Sequence, residues 1–248
     1  MKNIFAINNI EENCCFLCGE VLTDANRTDE HVFPRWLQRG AGLWNQSFVL
    51  LNRTAIPYRQ LTIPCCSECN CGCLAELESE VHKAFRRGYE AVRDLPLIRL
   101  FQWCGKVWYG LILKELSLRA ERKKADVGTI LAPAALEQFR THHIFLQSIR
   151  MRMDFERFDP ASVFVMKTHR YAGNSRNFDY FDHILVSNGN EITKAQFLAI
   201  RYDGIGVACV FQDLGLPKQC VDGGLGSADD QTLHPVQCVA ARCKIAHQ

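Results

Sequence analysis

Two cysteine pairs with the same CxxC spacing restrict the fold of this 248-residue chain more than any other feature. The pairs are Cys15 with Cys18 and Cys66 with Cys69. Four thiolates at about 2.3 Å satisfy a tetrahedral structural zinc ion, and a two-residue gap lets one tight turn present both sulfurs to the metal. Between the pairs lie 47 residues, whereas a generic zinc ribbon has roughly 15 to 20. We therefore predict a zinc site that closes a substantial folded segment.

The cysteines next to these pairs leave alternatives open. Eight of the 13 cysteines lie within the first 73 residues, and four of them flank the pairs: Cys14, Cys65, Cys71 and Cys73. Cys71 or Cys73 could displace the second pair in register. The cluster could also serve a redox or thiol enzyme, but a redox CxxC usually occurs once, within a βαβ context that this sequence lacks. Cysteine clusters in a reducing compartment more often bind metal, so zinc is favoured.

Composition and charge place the chain among ordinary globular proteins. Hydrophobic residues make up 48% and charged residues 23%, and the formal net charge is +2. Such a balance gives no global attraction to nucleic acid, so a site for a polyanion requires local clusters of Lys and Arg. The N-terminal MKNIFAINNIEEN lacks the apolar run and cleavage site of a secretory signal, which predicts a cytoplasmic protein. Arg99 and Lys106 interrupt the most apolar stretch, which favours a buried helix over a membrane span.

Helical periodicity predicts three helices in the middle of the chain. Apolar residues recur at helical spacing through LAELESEVHKAFRRGYEAVRDL, which starts at Leu74 and stops before Pro96. A second helix is predicted from about Ile98 to Lys123. A third is predicted from about Pro133, because proline is favoured at the first position of a helix.

Short β-branched and aromatic runs dominate the sequence after Asp159. The runs are ASVFVMKT, DYFDHILVS, QFLAIRY and IGVACVFQD, and Gly, Asn and Asp separate them. They predict an antiparallel sheet, with a hairpin turn at Asp203-Gly204. The tail HPVQCVAARCKIA is predicted to form a closing helix. The whole chain is thus expected to be α+β, with a zinc-stabilised N-terminal module followed by helices and an antiparallel sheet.

Three segments in order, CFLCGEVL, DEHVFPRWL and LTIPCCSECN followed by LAELE, resemble the HNH, or ββα-metal, nuclease family in its zinc-knuckle form. More narrowly, they are similar to bacterial HNH proteins with an EHVFP-type first motif and a PCCxxCN second motif. Many of those proteins are associated with defence against foreign DNA. The resemblance covers residues 15 to about 80. It implies an HNH nuclease domain at 1–90 that hydrolyses phosphodiester bonds in DNA.

The resemblance also implies roles for individual residues. His31 would be the general base, since a histidine of ordinary pKa, about 6.5, is largely neutral near pH 7. Glu30 and Asn70 would hold a catalytic Mg²⁺ or Mn²⁺, which prefers oxygen ligands. Asp29 competes with Glu30 for this role. Adjacent side chains on a strand point to opposite faces, so the two carboxylates are not expected to serve one metal together.

One residue of the family motif is missing from this chain. The middle asparagine is often five residues before the second CxxC, where this chain has Leu61. Asn45 or Asn52 could instead orient the backbone of His31. Asn70 could equally be a helix N-cap.

Several other polar and aromatic residues of this segment have candidate roles. Arg35, Arg53 and Arg59 are candidate phosphate contacts, while Glu78 is interpreted as a solvated surface residue. Trp36 and Leu37 are interpreted as the hydrophobic underside of the hairpin. Five further histidines have no metal-ligand spacing and are interpreted as structural: His142, His143, His169, His183 and His234.

Residues 91–248 form the predicted C-terminal α+β domain, which has no motif of its own. It would supply substrate selection, dimerisation or docking to a regulatory or targeting subunit. The sequence also allows a different class of function, a zinc-stabilised module that binds nucleic acid or protein without catalysis. Such a module would tolerate the loss of His31, whereas a nuclease would not.

Overall fold

The structure, a computed structural model, describes residues 13–116, 118–121, 128–129, 139–151, 161–168, 177–184 and 196–211. Within these residues it combines helices with antiparallel sheets, so the predicted α+β class is confirmed. Contacts divide the chain into two compact units, Met1–Ser79 with Lys106–Met153 and Glu80–Gly105 with Asp154–Gln248. The units alternate along the chain, whereas the sequence analysis placed a single boundary near residue 90.

The first unit contains a strand pair whose members are distant in sequence. Strands β1 (Arg27–His31) and β4 (Thr62–Cys66) are antiparallel, with Arg27 opposite Cys66 and His31 opposite Thr62. Between them lie helix α1 (Arg35–Gly40) and a smaller antiparallel pair, β2 (Ser47–Val49) with β3 (Ala55–Pro57). Because Arg27, the first residue of β1, lies opposite Cys66, the second cysteine pair is at the end of the hairpin at which β1 begins.

A helical segment follows β4 without a loop. It consists of α2 (Ser67–Cys69), a π-helical turn (Asn70–Leu74) and α3 (Ala75–Arg87). Gly72 has non-helical backbone angles, φ −95° and ψ −108°, so the chain kinks there. The predicted first helix is interrupted at Gly88, whose φ of 99° favours glycine, and continues as α4 (Tyr89–Arg93).

Helix α5 (Leu97–Leu116) is shorter than predicted, because residues 118–121 form bends around Arg119, which makes an isolated β-bridge with Thr129. Helix α6 spans Arg140–Met151. The predicted start of the third helix, near Pro133, lies outside the described residues. In the part of the chain that the structure describes, each helix is too short or too polar to cross a membrane.

Helix α5 packs closely on the hairpin within the first unit. A Cβ atom added at Gly110 would lie 3.1 Å from Val32 Cγ2 and 3.3 Å from Ile63 Cδ1. Val32 is completely buried, and its branched side chain has little rotamer freedom. The glycine therefore permits a close helix-to-strand approach, in which an added methyl group would force Val32 or Ile63 to shift by a few tenths of an ångström.

Gly110→Ala should destabilise the protein by about 1 kcal/mol, because an overpacking cost of about 1–3 kcal/mol exceeds the roughly 1 kcal/mol gained in helix propensity. Chemical denaturation measures the change. The same substitution in a Val32→Ala background should instead be neutral or stabilising, since the added methyl group then fills a cavity. Equal effects in both backgrounds would contradict the proposed close contact.

The second unit contains a four-stranded antiparallel sheet in the order β5-β8-β7-β6. Its strands are β5 (Ala161–Lys167), β6 (Phe178–Ile184), β7 (Gln196–Tyr202) and β8 (Ile205–Phe211). Asp203 and Gly204 form the predicted turn with φ of 50° and 79°, and Tyr202 pairs with Ile205. The predicted sheet and hairpin are confirmed, while the predicted closing helix lies outside the described residues.

Candidate zinc site and active-site cleft

The four predicted zinc ligands lie together in the first unit. The Sγ atoms of Cys15, Cys18, Cys66 and Cys69 all lie within 4.8 Å of one another. The Sγ atoms of Cys18 and Cys66 are 3.7 Å apart. A tetrahedron with zinc–sulfur bonds of about 2.3 Å has edges of about 3.8 Å, so this geometry fits a zinc ion.

Local hydrogen bonds shape both cysteine turns. Gly19 donates its N–H to the carbonyl oxygen of Cys15 at 2.9 Å and adopts a φ of 71°. Phe16 N–H donates to the carbonyl of Pro64 at 3.0 Å, which ties the first turn to β4. In the second turn, the Cys69 N–H donates to Cys66 Sγ at 3.4 Å. Each CxxC turn thus holds two sulfurs on one side of the backbone.

The neighbouring cysteines do not join the group of four. Cys71 is exposed, and the Cys73 thiol donates to the carbonyl oxygen of Cys69 at 3.6 Å. The buried Cys65 thiol lies 3.8 Å from Cys15 Sγ. Hydrogen bonds from the thiols of Cys18, Cys65 and Cys69 lower the pKa of Cys15. A thiolate is the form of cysteine that binds metal.

A cleft with a volume of about 630 Å³ opens beside the hairpin in the same unit. Its lining includes six residues with candidate catalytic, metal-binding or phosphate-binding roles, Asp29, Glu30, His31, Arg35, Arg59 and Asn70, and also Cys71 and Glu78. The third candidate phosphate contact, Arg53, lies in the loop between β2 and β3 and is not among the lining residues. The structure therefore brings the proposed base, both carboxylates and the asparagine to one surface.

His31, at the end of β1, is held by side-chain contacts on two sides. Its ring stacks on Trp44 with centroids 5.7 Å apart and an interplanar angle of 19°. Arg35 donates from Nε to His31 Nδ1 at 3.3 Å. Burial, followed by the positive charges of Arg35 and Lys106, lowers the pKa of His31. The imidazole is therefore neutral at pH 7, with its proton on Nε2 and its lone pair on Nδ1.

The two adjacent carboxylates have different environments. Asp29 is exposed, whereas Glu30 is only 6% exposed and forms an ion pair with Lys106. Burial raises the pKa of Glu30 to about 7, although the Lys106 ammonium opposes this shift. Both residues line the cleft despite the alternation of side chains along β1. Asp29 thus remains a competitor for the metal-ligand role predicted for Glu30.

Asn70 lies in the π-helical turn and contacts β1 through its side-chain amide. Nδ2 donates to Thr28 Oγ1 at 3.0 Å and to the carbonyl of Asp29 at 3.3 Å. Among the described residues, the amide oxygen Oδ1 accepts no hydrogen bond. A cation would bind Oδ1, whereas both hydrogen bonds are made by Nδ2. These contacts therefore orient the side chain and leave Oδ1 available.

Lys106 is the residue of this site that the sequence analysis missed. Its Nζ donates to the carbonyl of His31 at 2.6 Å and to Glu78 Oε1 at 2.7 Å. Burial alone would lower the pKa of Lys106, but the carboxylates of Glu30 and Glu78 raise it to about 12. The interpretation of Glu78 as a solvated surface residue is therefore wrong. The available sequence signal is a lysine inside the apolar run of α5, which by itself argues only against a membrane span.

The candidates for the missing motif asparagine do not contact His31. Asn45 accepts a hydrogen bond from Arg59, and Asn52 donates to the carbonyl of Arg119 at 3.2 Å. Leu61 is completely buried. Neither candidate makes a described hydrogen bond to the backbone of His31, so neither fills the position of the middle asparagine.

The structural interpretation of the remaining histidines can be examined at two positions. His142 and His143 are buried on α6, and His143 Nε2 is 2.8 Å from the carbonyl oxygen of Phe16. His169, His234 and the side chain of His183 lie outside the described residues. Leu37 is completely buried and Trp36 is half-buried, and both lie on α1 rather than on the strands of the hairpin.

Comparison of the chain with protein-family models, curated proteins and solved structures found no match. The chemistry open to the cleft follows from its own atoms. A neutral imidazole can accept a proton, carboxylate and amide oxygens can bind a hard cation, and two arginines can bind an anionic group. This set is suited to an anionic substrate that is attacked by water.

Proposed function

We propose that this protein is a metal-dependent HNH endonuclease that hydrolyses phosphodiester bonds in DNA. The observation that supports this proposal is the position of His31 in one cleft with Asn70 and two arginines. The order of the elements, β1, β4 and α3, agrees with a ββα arrangement. The zinc cysteines lie at the start of the hairpin and at the start of the helical segment, where a structural metal would hold the two together.

His31 would act as the general base through Nδ1. That atom accepts a hydrogen bond from Arg35 in the structure, so Arg35 must move before Nδ1 can take a proton from water. A phosphate group in the cleft would attract Arg35, because the guanidinium group forms bidentate, charge-assisted hydrogen bonds with phosphate. Substrate binding would then free the base at the moment when it is needed.

Glu30 and Asn70 would hold Mg²⁺ or Mn²⁺ through oxygen atoms. The amide oxygen of Asn70 is available, and Asp29 offers an exposed carboxylate beside Glu30. The donor set fits a hard divalent cation, which uses few protein ligands and keeps several waters. When bound, the metal would stabilise the developing charge and the leaving oxygen. Arg35 and Arg59 would bind flanking phosphates.

The cellular setting that we propose rests on the resemblance to bacterial HNH proteins associated with defence, together with the low net charge. A formal net charge of +2 provides little general attraction to DNA, so substrate binding would depend on the cleft and on other recognition surfaces. The second unit would supply substrate selection, dimerisation or docking to a regulatory or targeting subunit. We propose a cytoplasmic role in bacterial antiviral defence, in which such a subunit controls cleavage.

A plasmid-nicking assay tests the proposed activity. Zinc-loaded protein should convert supercoiled DNA to nicked circles when Mg²⁺ or Mn²⁺ is added, and should not do so when both of these ions are omitted. Single-stranded DNA and RNA of the same sequence serve as parallel substrates. Absence of cleavage of all these substrates in every zinc-loaded preparation would overturn the proposal.

A second candidate function is a zinc-stabilised binding module without catalysis. The ion pair between buried Lys106 and Glu30 favours it, because it gives Glu30 a structural role. Such a module should bind DNA or protein with equal affinity before and after His31→Ala. Metal-dependent cleavage that is lost with His31→Ala would exclude it.

A further inference from the structure

Lys106 makes four contacts with oxygen atoms from a completely buried position. Its side chain is 1% exposed. Nζ contacts the backbone carbonyls of His31 at 2.6 Å and Val32 at 3.3 Å, and the carboxylates of Glu78 at 2.7 Å and of Glu30. The lysine reaches these groups from α5, 75 residues after His31 in the chain.

Stability alone does not account for an ammonium group in this place. Removing an ammonium group from water is expensive, and replacing a buried ion pair with apolar groups of similar volume is often neutral or stabilising. The Lys106 contacts instead select one geometry, because an ammonium group has three donors and each carbonyl must lie within reach of one of them. Both carbonyls belong to the residues where the chain leaves β1.

We propose that Lys106 is a positioning residue that holds the backbone of His31, and through it the imidazole, at the cleft. Trp44 and Arg35 contact the ring, whereas Lys106 contacts the main-chain carbonyl. Lys106 thereby takes the role for which Asn45 and Asn52 were candidates. The catalytic part of this inference rests on the proposed function, whereas the backbone contact can be measured without any activity.

Lys114 provides a matched control on the same helix. It lies eight residues after Lys106, and its Nζ donates to the carbonyl of Thr62 at 3.3 Å. Thr62 is the residue opposite His31 in the hairpin. Lys114→Met therefore removes a lysine from the same helix and a contact with the same hairpin, but it leaves the carbonyl of His31 untouched.

The kinetic test compares Lys106→Met with Lys114→Met at equal zinc content. Lys106→Met should lower kcat about 10- to 100-fold with little change in KM, since a misplacement of about 1 Å can cost 100-fold in rate. Lys106→Arg, which keeps the buried charge, should recover part of the loss. Equal kcat values for Lys106→Met and Lys114→Met would overturn the positioning role.

An NMR test reports on the backbone contact directly. His31-Val32 is the only His-Val pair in the sequence, so labelling histidine carbonyls with ¹³C and valine amides with ¹⁵N yields one carbonyl–amide correlation. The ¹³C resonance of the His31 carbonyl should move in Lys106→Met and stay in place in Lys114→Met. An unmoved resonance in Lys106→Met would overturn the inference even in a protein that cleaves DNA.

The NMR result also separates this inference from the proposed function. If the wild-type protein cleaves no DNA, the nuclease assignment is refuted, while a moved resonance in Lys106→Met would still support the backbone contact. If Lys106→Met does not fold, the double variant Lys106→Met with Glu78→Gln takes its place. The second substitution neutralises one of the two carboxylates that lose their counterion when Lys106 is removed. In this double variant, an unchanged resonance would again count against the proposal. Lys106→Arg keeps the positive charge and a donor for the carbonyl, so it should move the resonance less than the double variant does.

Discussion

His31→Ala should lower the rate of DNA cleavage by about 10²- to 10⁴-fold, the range expected for loss of a general base. No other imidazole lines the cleft among the described residues, so no second histidine there can take over the proton. The substitution removes the stacking contact with Trp44 but no zinc ligand. The variant should therefore remain folded and bind the same amount of zinc. Single-turnover cleavage of a plasmid, zinc analysis and thermal unfolding measure the three quantities.

His82→Ala is the control for this experiment. His82 lies in α3 and does not line the cleft, so its loss should leave cleavage within about twofold, as expected for a substitution away from the site. Equal activity of wild type and His31→Ala would exclude His31 as the base and favour the binding-module function. A parallel loss of zinc and activity in His31→Ala would instead point to a structural effect.

Cys66→Ser should abolish zinc binding and unfold the first unit. Structural zinc contributes an apparent 10–16 kcal/mol in zinc-finger peptides, whereas whole domains are stable by only about 5–15 kcal/mol. Cys66 joins the end of β4 to α2, so its loss releases the hairpin from the helical segment that carries Asn70. Zinc stoichiometry and hydrogen exchange of the β1 and β4 amides measure the effect.

Cys71→Ser is the matched control, because Cys71 is exposed and lies outside the group of four. It should keep one zinc ion per chain and change the free energy of unfolding by no more than about 0.5 kcal/mol. Retention of zinc in Cys66→Ser together with loss in Cys71→Ser would show that the second pair is displaced in register. The His31 and Cys66 variants together separate the chemical role of the cleft from the structural role of zinc.

Local patterns in the sequence were sufficient for features that depend on neighbours along the chain. The CxxC spacing identified four cysteines whose sulfur atoms lie within 4.8 Å of one another. Alternating β-branched runs predicted the four strands of the second unit, and Asp203-Gly204 predicted its hairpin. Helix ends were less accurate, because Gly88 breaks a periodicity that continues on both sides of it.

The tertiary structure decided which distant groups share a site. Glu78 has the spacing of a surface residue on α3, yet it contacts an ammonium group from α5. Lys106 has the sequence context of a residue that interrupts a membrane span, yet it contacts the backbone of His31. These contacts depend on how α5 packs on the hairpin, which the absence of a side chain at Gly110 permits.

The sequence by itself determined the four clustered cysteines and the class of fold, because each follows from spacing or periodicity over a few residues. The candidate base came from the resemblance of its motif to the HNH family. Only the tertiary structure decided that Glu30 is paired, that Asp29 is exposed and that a lysine holds the carbonyl of His31. A buried charge must find its partners in space, and packing brings together residues that no short sequence pattern relates.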